Sequence, residues 1–222
     1  MSYFNIAVDG PAGAGKSTIA KAVAAKLGFI YVDTGAMYRA MALYFLRQGI
    51  GKEEEAAISA ACGQVEITIR YEDGSQQVIL NGENVSSQIR NEEVGNMASA
   101  TSVYLPVREK LVQLQQELAK TANVIMDGRD IGTVVLPDAK VKIFLTASPE
   151  ARAERRYKEL LEKGMTVSYN DVLKDVNERD YNDSHRKTAP LKPAEGCVIV
   201  DTTELDFEQS VDKIISVIKE NV

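Results

Sequence analysis

Short apolar segments alternate with amphipathic stretches along most of this chain. Stretches such as residues 36–48 and 207–219 place apolar side chains at helical spacing. The apolar segments have the length and composition of buried strands and lie at residues 4–8, 29–32, 124–126, 141–145 and 198–200. Apolar strands separated by helices are typical of parallel sheets. The pattern therefore predicts an α/β fold, with a five-stranded parallel sheet covered by helices on both faces.

A second pattern interrupts this alternation in the middle of the chain. Residues 65–70 alternate apolar and polar side chains at period two, and residues 77–80 do so more loosely. Between them lies an Asp73-Gly74 turn signal, and Asn81-Gly82 marks a further turn. We therefore expect a β-hairpin inserted into the α/β chain, followed by helices over 91–104 and 106–120.

The most specific motif lies between the first strand and the next helix. It reads Gly10-Pro11-Ala12-Gly13-Ala14-Gly15-Lys16-Ser17, which fits the phosphate-binding pattern G-x-x-x-x-G-K-[ST]. The inward-facing amides of such a loop form a nest for anions, and the helix that follows adds the positive end of its dipole. Lys16 can reach the β- and γ-phosphates, and Ser17 can place its hydroxyl on Mg²⁺. The predicted ATP-binding residues are Gly10, Pro11, Ala12, Gly13, Ala14, Gly15, Lys16, Ser17 and Thr18.

Acidic residues follow several of the predicted strands, where parallel sheets bind their ligands. Asp127 comes directly after three apolar residues. It is the candidate carboxylate for Mg²⁺, acting through a water because this ion keeps much of its hydration. Asp33 is a competing candidate for the same task, and Asp9 and Asp201 also follow strands.

Charge and composition narrow the range of partners. With 26 Lys and Arg against 32 Asp and Glu, the 222-residue chain has a net charge of −6. This balance argues against general binding to nucleic acid or to a membrane surface. No apolar run approaches about 18 residues and the first residues lack a signal peptide, so we expect a cytoplasmic protein. We also expect it to be a monomer. His185 is the only histidine, and neither Cys62 nor Cys197 has metal-ligand spacing, so we expect buried or half-buried thiols and no zinc site.

Arginines stand at positions where they could neutralise phosphates. Arg39 follows the strand at residues 29–32, and Arg129 follows the strand at residues 124–126. Others fall in the charged region 150–190, where most charges are expected to be solvated: Arg152, Arg155, Arg156, Arg179 and Arg186. Phosphoryl transfer needs such groups, because the negative charges of two substrates must be neutralised and held in line.

Four motifs together resemble the bacterial cytidylate kinase family. They occur in the family's order and span nearly the whole chain. They are the phosphate-binding loop, then Asp33-Thr34-Gly35-Ala36-Met37-Tyr38-Arg39, then Asp127-Gly128-Arg129-Asp130-Ile131-Gly132-Thr133-Val134-Val135, and then Glu178-Arg179-Asp180 with Asp183 and Arg186. The joint match is specific, whereas the loop alone would indicate only a nucleotide.

The resemblance implies a fold like that of adenylate kinase, with a P-loop core, an inserted monophosphate-binding region and a short helical lid. Its core would comprise residues 1–35, 121–150 and 190–222. Residues 36–120 would bind the monophosphate, with the insertion around 63–104, and residues 151–189 would form the lid. The implied reaction is direct in-line transfer from MgATP to CMP or dCMP.

The resemblance also implies roles for individual residues. Ser99, Arg108 and Asp130 would surround the cytosine, and Arg179 and Asp183 would meet the ribose. Thr34, Tyr38, Arg39, Arg129 and Arg186 would shape the pocket and hold the acceptor phosphate. Arg152, Arg155 and Arg156 would close over the ATP phosphates, so that they act in catalysis with Lys16 and Arg129.

The chemistry of the base agrees with this assignment. Cytosine offers an amino donor at N4 and acceptors at N3 and O2, which a carboxylate and an arginine match. Uracil reverses two of these groups, and two buried mismatches predict a preference for CMP over UMP of ~10²–10⁴. The rivals are another small-molecule kinase with this loop, such as a uridylate, adenylate or shikimate-type kinase, and a GTPase-like switch. The chain has no Asn-Lys-x-Asp stretch to read guanine.

Overall fold

The structure is a computed structural model that describes residues 3–72 and 74–221. Asp73, from the predicted Asp-Gly turn, lies outside the described residues. The chain divides into two compact units. The first unit comprises residues up to 31 together with those from 122 onward, and the second unit comprises residues 32–121. The finer division into core, monophosphate-binding and lid regions stays a prediction.

The elements follow one another along the chain as strands and helices of ordinary length. They are β1 (Asn5–Asp9), α1 (Lys16–Leu27), β2 (Ile30–Asp33), α2 (Thr34–Arg47), α3 (Glu55–Cys62), β3 (Ile67–Glu72), β4 (Ser75–Leu80), β5 (Glu83–Asn84), a 3₁₀ turn (Gln88–Arg90), α4 (Glu92–Thr101), α5 (Leu105–Ala119), β6 (Val124–Gly128), a π-helical turn (Ile131–Val135), β7 (Val141–Thr146), α6 (Pro149–Glu162), α7 (Tyr169–His185), β8 (Val198–Asp201) and α8 (Phe207–Glu220).

The main sheet has the strand order β2-β6-β1-β7-β8, and its strands β1, β6, β7 and β8 belong to the first unit. β1 pairs in parallel with both β6 and β7, and β7 pairs in parallel with β8. Register places Asp9 beside Gly128, so the ends of β1 and β6 lie at the same edge. The predicted α/β fold with a five-stranded parallel sheet is confirmed.

Two apolar clusters hold the first unit together. The larger cluster joins the sheet to α1 and α8 through buried side chains such as Ile6, Val23 and Ile214. α8 begins with a reciprocal capping box between Asp206 and Gln209, which satisfies exposed amides at its start. The smaller cluster packs α6 against α7. The charged stretch 150–190 is therefore a helical pair with its own apolar seam.

The second unit contains the predicted hairpin. β3, β4 and β5 form an antiparallel sheet, and α2 packs against α4 and β4. Asn81 and Gly82 have φ angles of 47° and 85° and connect β4 to β5, with Leu80 opposite Glu83. Positive φ at both central residues is the geometry that an Asn-Gly turn favours. The inserted hairpin and the Asn-Gly turn are confirmed.

Several local features differ from the sequence-based expectations. The strand β5, the 3₁₀ turn, the π-helical turn and the extension of α7 to His185 were not predicted. Cys62 is buried and Cys197 half-buried, both as free thiols, and His185 is exposed and stacked on Tyr181. None of the helices within residues 3–72 and 74–221 has both the length and the apolar character needed to cross a membrane.

Candidate active site

The glycine-rich loop follows β1 and leads directly into α1. Gly10 has a φ of 150°, and a Cβ added there would lie 1.9 Å from the carbonyl oxygen of Leu145. Gly15 has a φ of 83° at the start of α1. Side chains at either position would be strained, so glycine is required for the loop to leave the sheet and enter the helix. The motif therefore has the strand–loop–helix context that a phosphate-binding loop needs.

Lys16 is the first residue of α1 and is buried. Its Nζ donates a 2.7 Å hydrogen bond to the carbonyl oxygen of Pro11 within the loop. The pKa of Lys16 is lowered to about 7, chiefly by burial and also by Arg129, whereas Asp127 and other nearby carboxylates oppose the shift. A phosphate placed in the loop would favour the charged ammonium, so the site is electrostatically suited to an anion.

Ser17 and Asp127 lie together, as a magnesium site requires. The Ser17 hydroxyl donates a 2.7 Å hydrogen bond to Oδ2 of Asp127, and the Tyr31 hydroxyl donates a 2.9 Å bond to Oδ1. A hydroxyl beside a carboxylate is an oxygen-donor set that fits Mg²⁺. Sequence analysis missed Tyr31, because only the pairing of its strand within the sheet brings it to Asp127.

Asp33, the competing candidate for magnesium, has a structural task in the second unit. Its Oδ1 accepts a 2.9 Å bond from the Ala36 amide and so caps α2. Its Oδ2 lies 2.9 Å from Nη2 of Arg90. With a backbone amide on one oxygen and a guanidinium on the other, Asp33 is less suited to a cation than Asp127.

Four of the predicted acceptor residues form two ion pairs in the first unit. Nε of Arg129 donates a 2.7 Å hydrogen bond to Oδ2 of Asp183. Nη2 of Arg186 lies 3.7 Å from Oδ1 of Asp130, and both side chains are buried. Arg179, the remaining predicted acceptor residue of the first unit, is exposed on α7. The structure thus brings Arg129, Asp183, Asp130 and Arg186 into charge-paired contacts after β6 and along α7.

Asp9, at the end of β1, has a contact that the sequence did not predict. Its two carboxylate oxygens accept 2.7 Å hydrogen bonds from the backbone amides of Ile131 and Gly132. Burial raises the pKa of Asp9 to about 6, although these two amides lower it. The position of Asp9 after a strand was the only signal in the sequence, and it did not indicate a partner.

The three arginines of α6 have different surroundings. Arg152 is buried, donates from Nε to the Ala147 carbonyl oxygen and from Nη1 to that of Ala12, and pairs with Asp180. Arg155 donates from Nη2 to the Thr202 carbonyl oxygen at 2.6 Å. Arg156 pairs at the surface with Glu159. Arg152 contacts the phosphate-binding loop through the Ala12 carbonyl oxygen. The predicted closure of all three arginines over ATP stays a prediction.

The remaining acceptor candidates lie in the second unit. Thr34 is buried in the first turn of α2, and Tyr38 and Arg39 follow half-buried on the same helix. Nη1 of Arg39 lies 3.4 Å from each of two carbonyl oxygens, those of Ile89 and Asn91. The α4–α5 segment supplies the other two candidates: Ser99 is exposed, and Arg108 is buried and donates to the Ser102 carbonyl oxygen.

The parallel sheet, the glycine-rich loop, the buried lysine and the Ser17–Asp127 pair define a phosphotransferase of the P-loop class. A family model described as Cytidylate kinase matches residues 6–220. The chain therefore belongs to the cytidylate kinase family.

Curated relatives agree with the family match over almost the full length of the chain. A protein named Cytidylate kinase from Caldicellulosiruptor saccharolyticus is 51% identical, covering 97% of this chain and 95% of the relative. One of the same name from Streptococcus pneumoniae strain 70585 is 50% identical, covering 96% of each. Among solved structures, a shikimate kinase from Bacteroides thetaiotaomicron aligns with a TM-score of 0.51 at 15% identity, covering 97% of this chain and 98% of that one. That likeness supports the fold alone.

Proposed function

We infer that this protein transfers the γ-phosphoryl group of ATP to CMP, giving ADP and CDP. This inference rests on the family match together with the geometry of the phosphate-binding loop. The chain matches the cytidylate kinase model over residues 6–220. Within that match it has an intact phosphate-binding loop, with Lys16 buried at the start of α1. We propose dCMP as a second acceptor.

The donor side of the reaction is assigned to the first unit. The loop amides and Lys16 hold the triphosphate and stabilise the transferring group. An oxygen of the acceptor phosphate attacks the γ-phosphorus in line with the departing ADP oxygen, and no covalent enzyme intermediate is needed. Arg152, Arg155 and Arg156 of α6 lie in the proposed lid, residues 151–189, whose closure would exclude water and so suppress ATP hydrolysis.

The residues proposed for Mg²⁺ are Ser17, through its hydroxyl, and Asp127, through a water. The 2.7 Å contact between these two side chains supports the proposal. Magnesium bound with ATP at these residues would neutralise phosphate charge during the transfer. Tyr31 fixes the orientation of the Asp127 carboxylate by donating to its other oxygen.

Each residue proposed for the acceptor has the role that the resemblance implies. In the first unit, Asp130 accepts from the cytosine amino group, Arg129 and Arg186 bind the phosphate, and Arg179 and Asp183 meet the ribose. In the second unit, Arg108 donates to cytosine N3 and O2. Ser99 contacts the base there, and Thr34, Tyr38 and Arg39 bind the phosphate. The charge pairs of Arg129 and Asp130 support this proposal, because both groups are held in place before a ligand arrives.

We propose further that the protein works as a cytoplasmic monomer on free nucleotides, without a nucleic-acid or membrane partner. The net charge of −6 supports the absence of nucleic-acid and membrane partners, because polyanions and anionic lipids are recognised by basic surfaces. Membership of the cytidylate kinase family supports nucleotides as the substrates. Sedimentation velocity with and without ATP and CMP tests the monomer directly.

A panel of acceptors tests the proposed reaction. Purified protein is given ATP and magnesium with CMP, dCMP, UMP, AMP or shikimate in turn, and ADP formation is followed. We expect rapid ADP formation with CMP and dCMP, a CMP/UMP ratio of kcat/KM of ~10²–10⁴, and little ADP without an acceptor. Turnover that favours another acceptor would refute the proposal, as would ADP formation that is independent of CMP.

A further inference from the structure

The carboxylate of Asp9 acts on a backbone segment remote in sequence. Asp9 ends β1 and is 3% exposed. Its Oδ1 accepts from the Ile131 amide and its Oδ2 from the Gly132 amide, each at 2.7 Å. These amides open the π-helical turn that follows Arg129 and Asp130. A buried carboxylate thus fixes the backbone immediately after two residues proposed to bind the acceptor.

The fit between Asp9 and the turn is close. A Cβ added to Gly132 would lie 3.3 Å from Oδ2 of Asp9 and 3.1 Å from Cβ of Ala194. Gly132 therefore lies close against Asp9 and Ala194, and a side chain at this position would push the turn away from them. Charge-assisted bonds to a carboxylate are stronger than neutral ones, so this contact defines the position of the turn.

Asp130 stands at the position where an aspartate usually caps a helical turn. An aspartate there accepts a bond from a backbone amide two or three residues further on. The Asp130 side chain makes no such bond. The Gly132 amide, two residues on, is bound by Asp9, and the Asp130 carboxylate lies 3.7 Å from Arg186 instead.

We propose that Asp9 is a positioning residue for base selection: by capping the Ile131–Val135 turn from β1, it keeps the Asp130 carboxylate from capping that turn itself. This inference rests on the proposed function, in which Asp130 accepts from the cytosine amino group. Without the Asp9 carboxylate, the Gly132 amide, two residues beyond Asp130, would lose its acceptor. The Asp130 carboxylate would then turn toward that amide, and CMP would lose its advantage over UMP.

The test compares Asp9→Asn with the wild-type enzyme. An asparagine places an amide donor against one of the two backbone donors, so one bond is lost with almost no change in size. Asp206→Asn is the matched control, because Asp206 caps α8 in the same unit through a 2.8 Å bond from the Gln209 amide. The readouts are kcat/KM for CMP and for UMP, the Kd for ATP, and hydrogen exchange of the Ile131 and Gly132 amides.

For Asp9→Asn we expect the CMP/UMP ratio of kcat/KM to fall by about tenfold or more, and the two amides to exchange faster. For Asp206→Asn we expect neither change. A ratio that stays at the wild-type value overturns the inference, whether or not ATP binding weakens, because Asp9 would then only support the fold or the loop.

A second variant covers the case in which Asp9→Asn does not fold. Gly132→Ala displaces the same turn while leaving the Asp9 carboxylate intact, and it should lower the CMP/UMP ratio in the same direction. An unchanged ratio there would contradict the inference. The wild-type measurements separate the two claims: an enzyme that does not prefer CMP refutes the proposed function, whereas a wild-type preference that both variants retain refutes only the role of Asp9.

Discussion

The hydroxyl of Ser17 lies 2.7 Å from Oδ2 of Asp127, so that the phosphate-binding loop and the end of β6 meet at one hydrogen bond. Tyr31 donates to the other oxygen of the same carboxylate. Two hydroxyl donors thus orient Asp127 from neighbouring elements. This arrangement supports the proposal that Asp127 serves magnesium rather than Asp33, whose oxygens cap α2 and pair with Arg90.

Asp127→Asn should weaken the magnesium dependence of the reaction. The amide has no net charge to balance the cation, and one of its two positions can no longer accept a bond. We expect the free Mg²⁺ concentration for half-maximal rate to rise by about tenfold or more. Initial rates against free Mg²⁺ at saturating ATP and CMP measure this. Asp206→Asn provides the control, and an unchanged magnesium curve for Asp127→Asn would remove Asp127 from the metal site.

Lys16→Met should separate activity from stability. Turnover should fall by ~10³-fold or more, because the ammonium is proposed to stabilise the transferring phosphoryl group. The free energy of unfolding at pH 7 should rise by roughly 1–3 kcal/mol, because a buried ammonium whose pKa is lowered to about 7 is costly in the free protein. Urea denaturation and steady-state rates check both. Retained turnover would exclude the proposed role, and lost stability would contradict the cost of burial.

Asp9 should make stability depend on pH. Burial raises its pKa from 3.8 to about 6 in the folded protein. The folded state therefore binds the proton of the Asp9 carboxyl more tightly than the unfolded chain does. As a result, the contribution of Asp9 to the free energy of unfolding falls as the pH rises from about 4 to about 6. Lys16 and Asp130 are the charged groups that also act on Asp9.

Asp9→Asn removes this titratable carboxyl group. The free energy of unfolding of the variant minus that of the wild type should therefore increase by up to about 3 kcal/mol between pH 4 and pH 7. Urea denaturation of both proteins at matched pH values measures the difference. Parallel pH curves would show that Asp9 keeps an ordinary pKa in the folded state.

Arg152 and Arg156 lie one helical turn apart on α6 and should contribute differently to stability. The Arg152 side chain is 3% exposed and that of Arg156 is 45% exposed. Arg152→Ala leaves Asp180 and two backbone carbonyls without their donor and should cost about 3 kcal/mol. Arg156→Ala removes a surface pair and should change the free energy of unfolding by less than about 0.5 kcal/mol. Equal effects in chemical denaturation would contradict the burial of Arg152.

The parts of the fold that the sequence predicted are those fixed by local chemistry. The Asn81-Gly82 turn has positive φ at both residues, which these two residue types tolerate. The glycine-rich loop likewise follows a strand and begins a helix, because its glycines permit the required backbone. The five strands were predictable because strands buried in a parallel sheet are short apolar runs separated by helical stretches.

The features that the sequence did not predict depend on residues distant along the chain. The π-helical turn at 131–135 is capped by Asp9 from another strand. α7 continues through Asn182, Asp183 and Ser184, which have low helix propensity, and Asp183 is bound there to Arg129. Tyr31 meets Asp127 only through the order of strands in the sheet. In each case tertiary contact overrides or supplements the local pattern.

The central claim, direct phosphoryl transfer from ATP to CMP, is tested most directly by ³¹P NMR of the wild-type protein with ATP, CMP and magnesium. We predict that the resonances of CDP and ADP grow together in equal amounts while those of ATP and CMP decline, with little inorganic phosphate. Inorganic phosphate in place of CDP, or an unchanged spectrum from folded protein, would contradict the account.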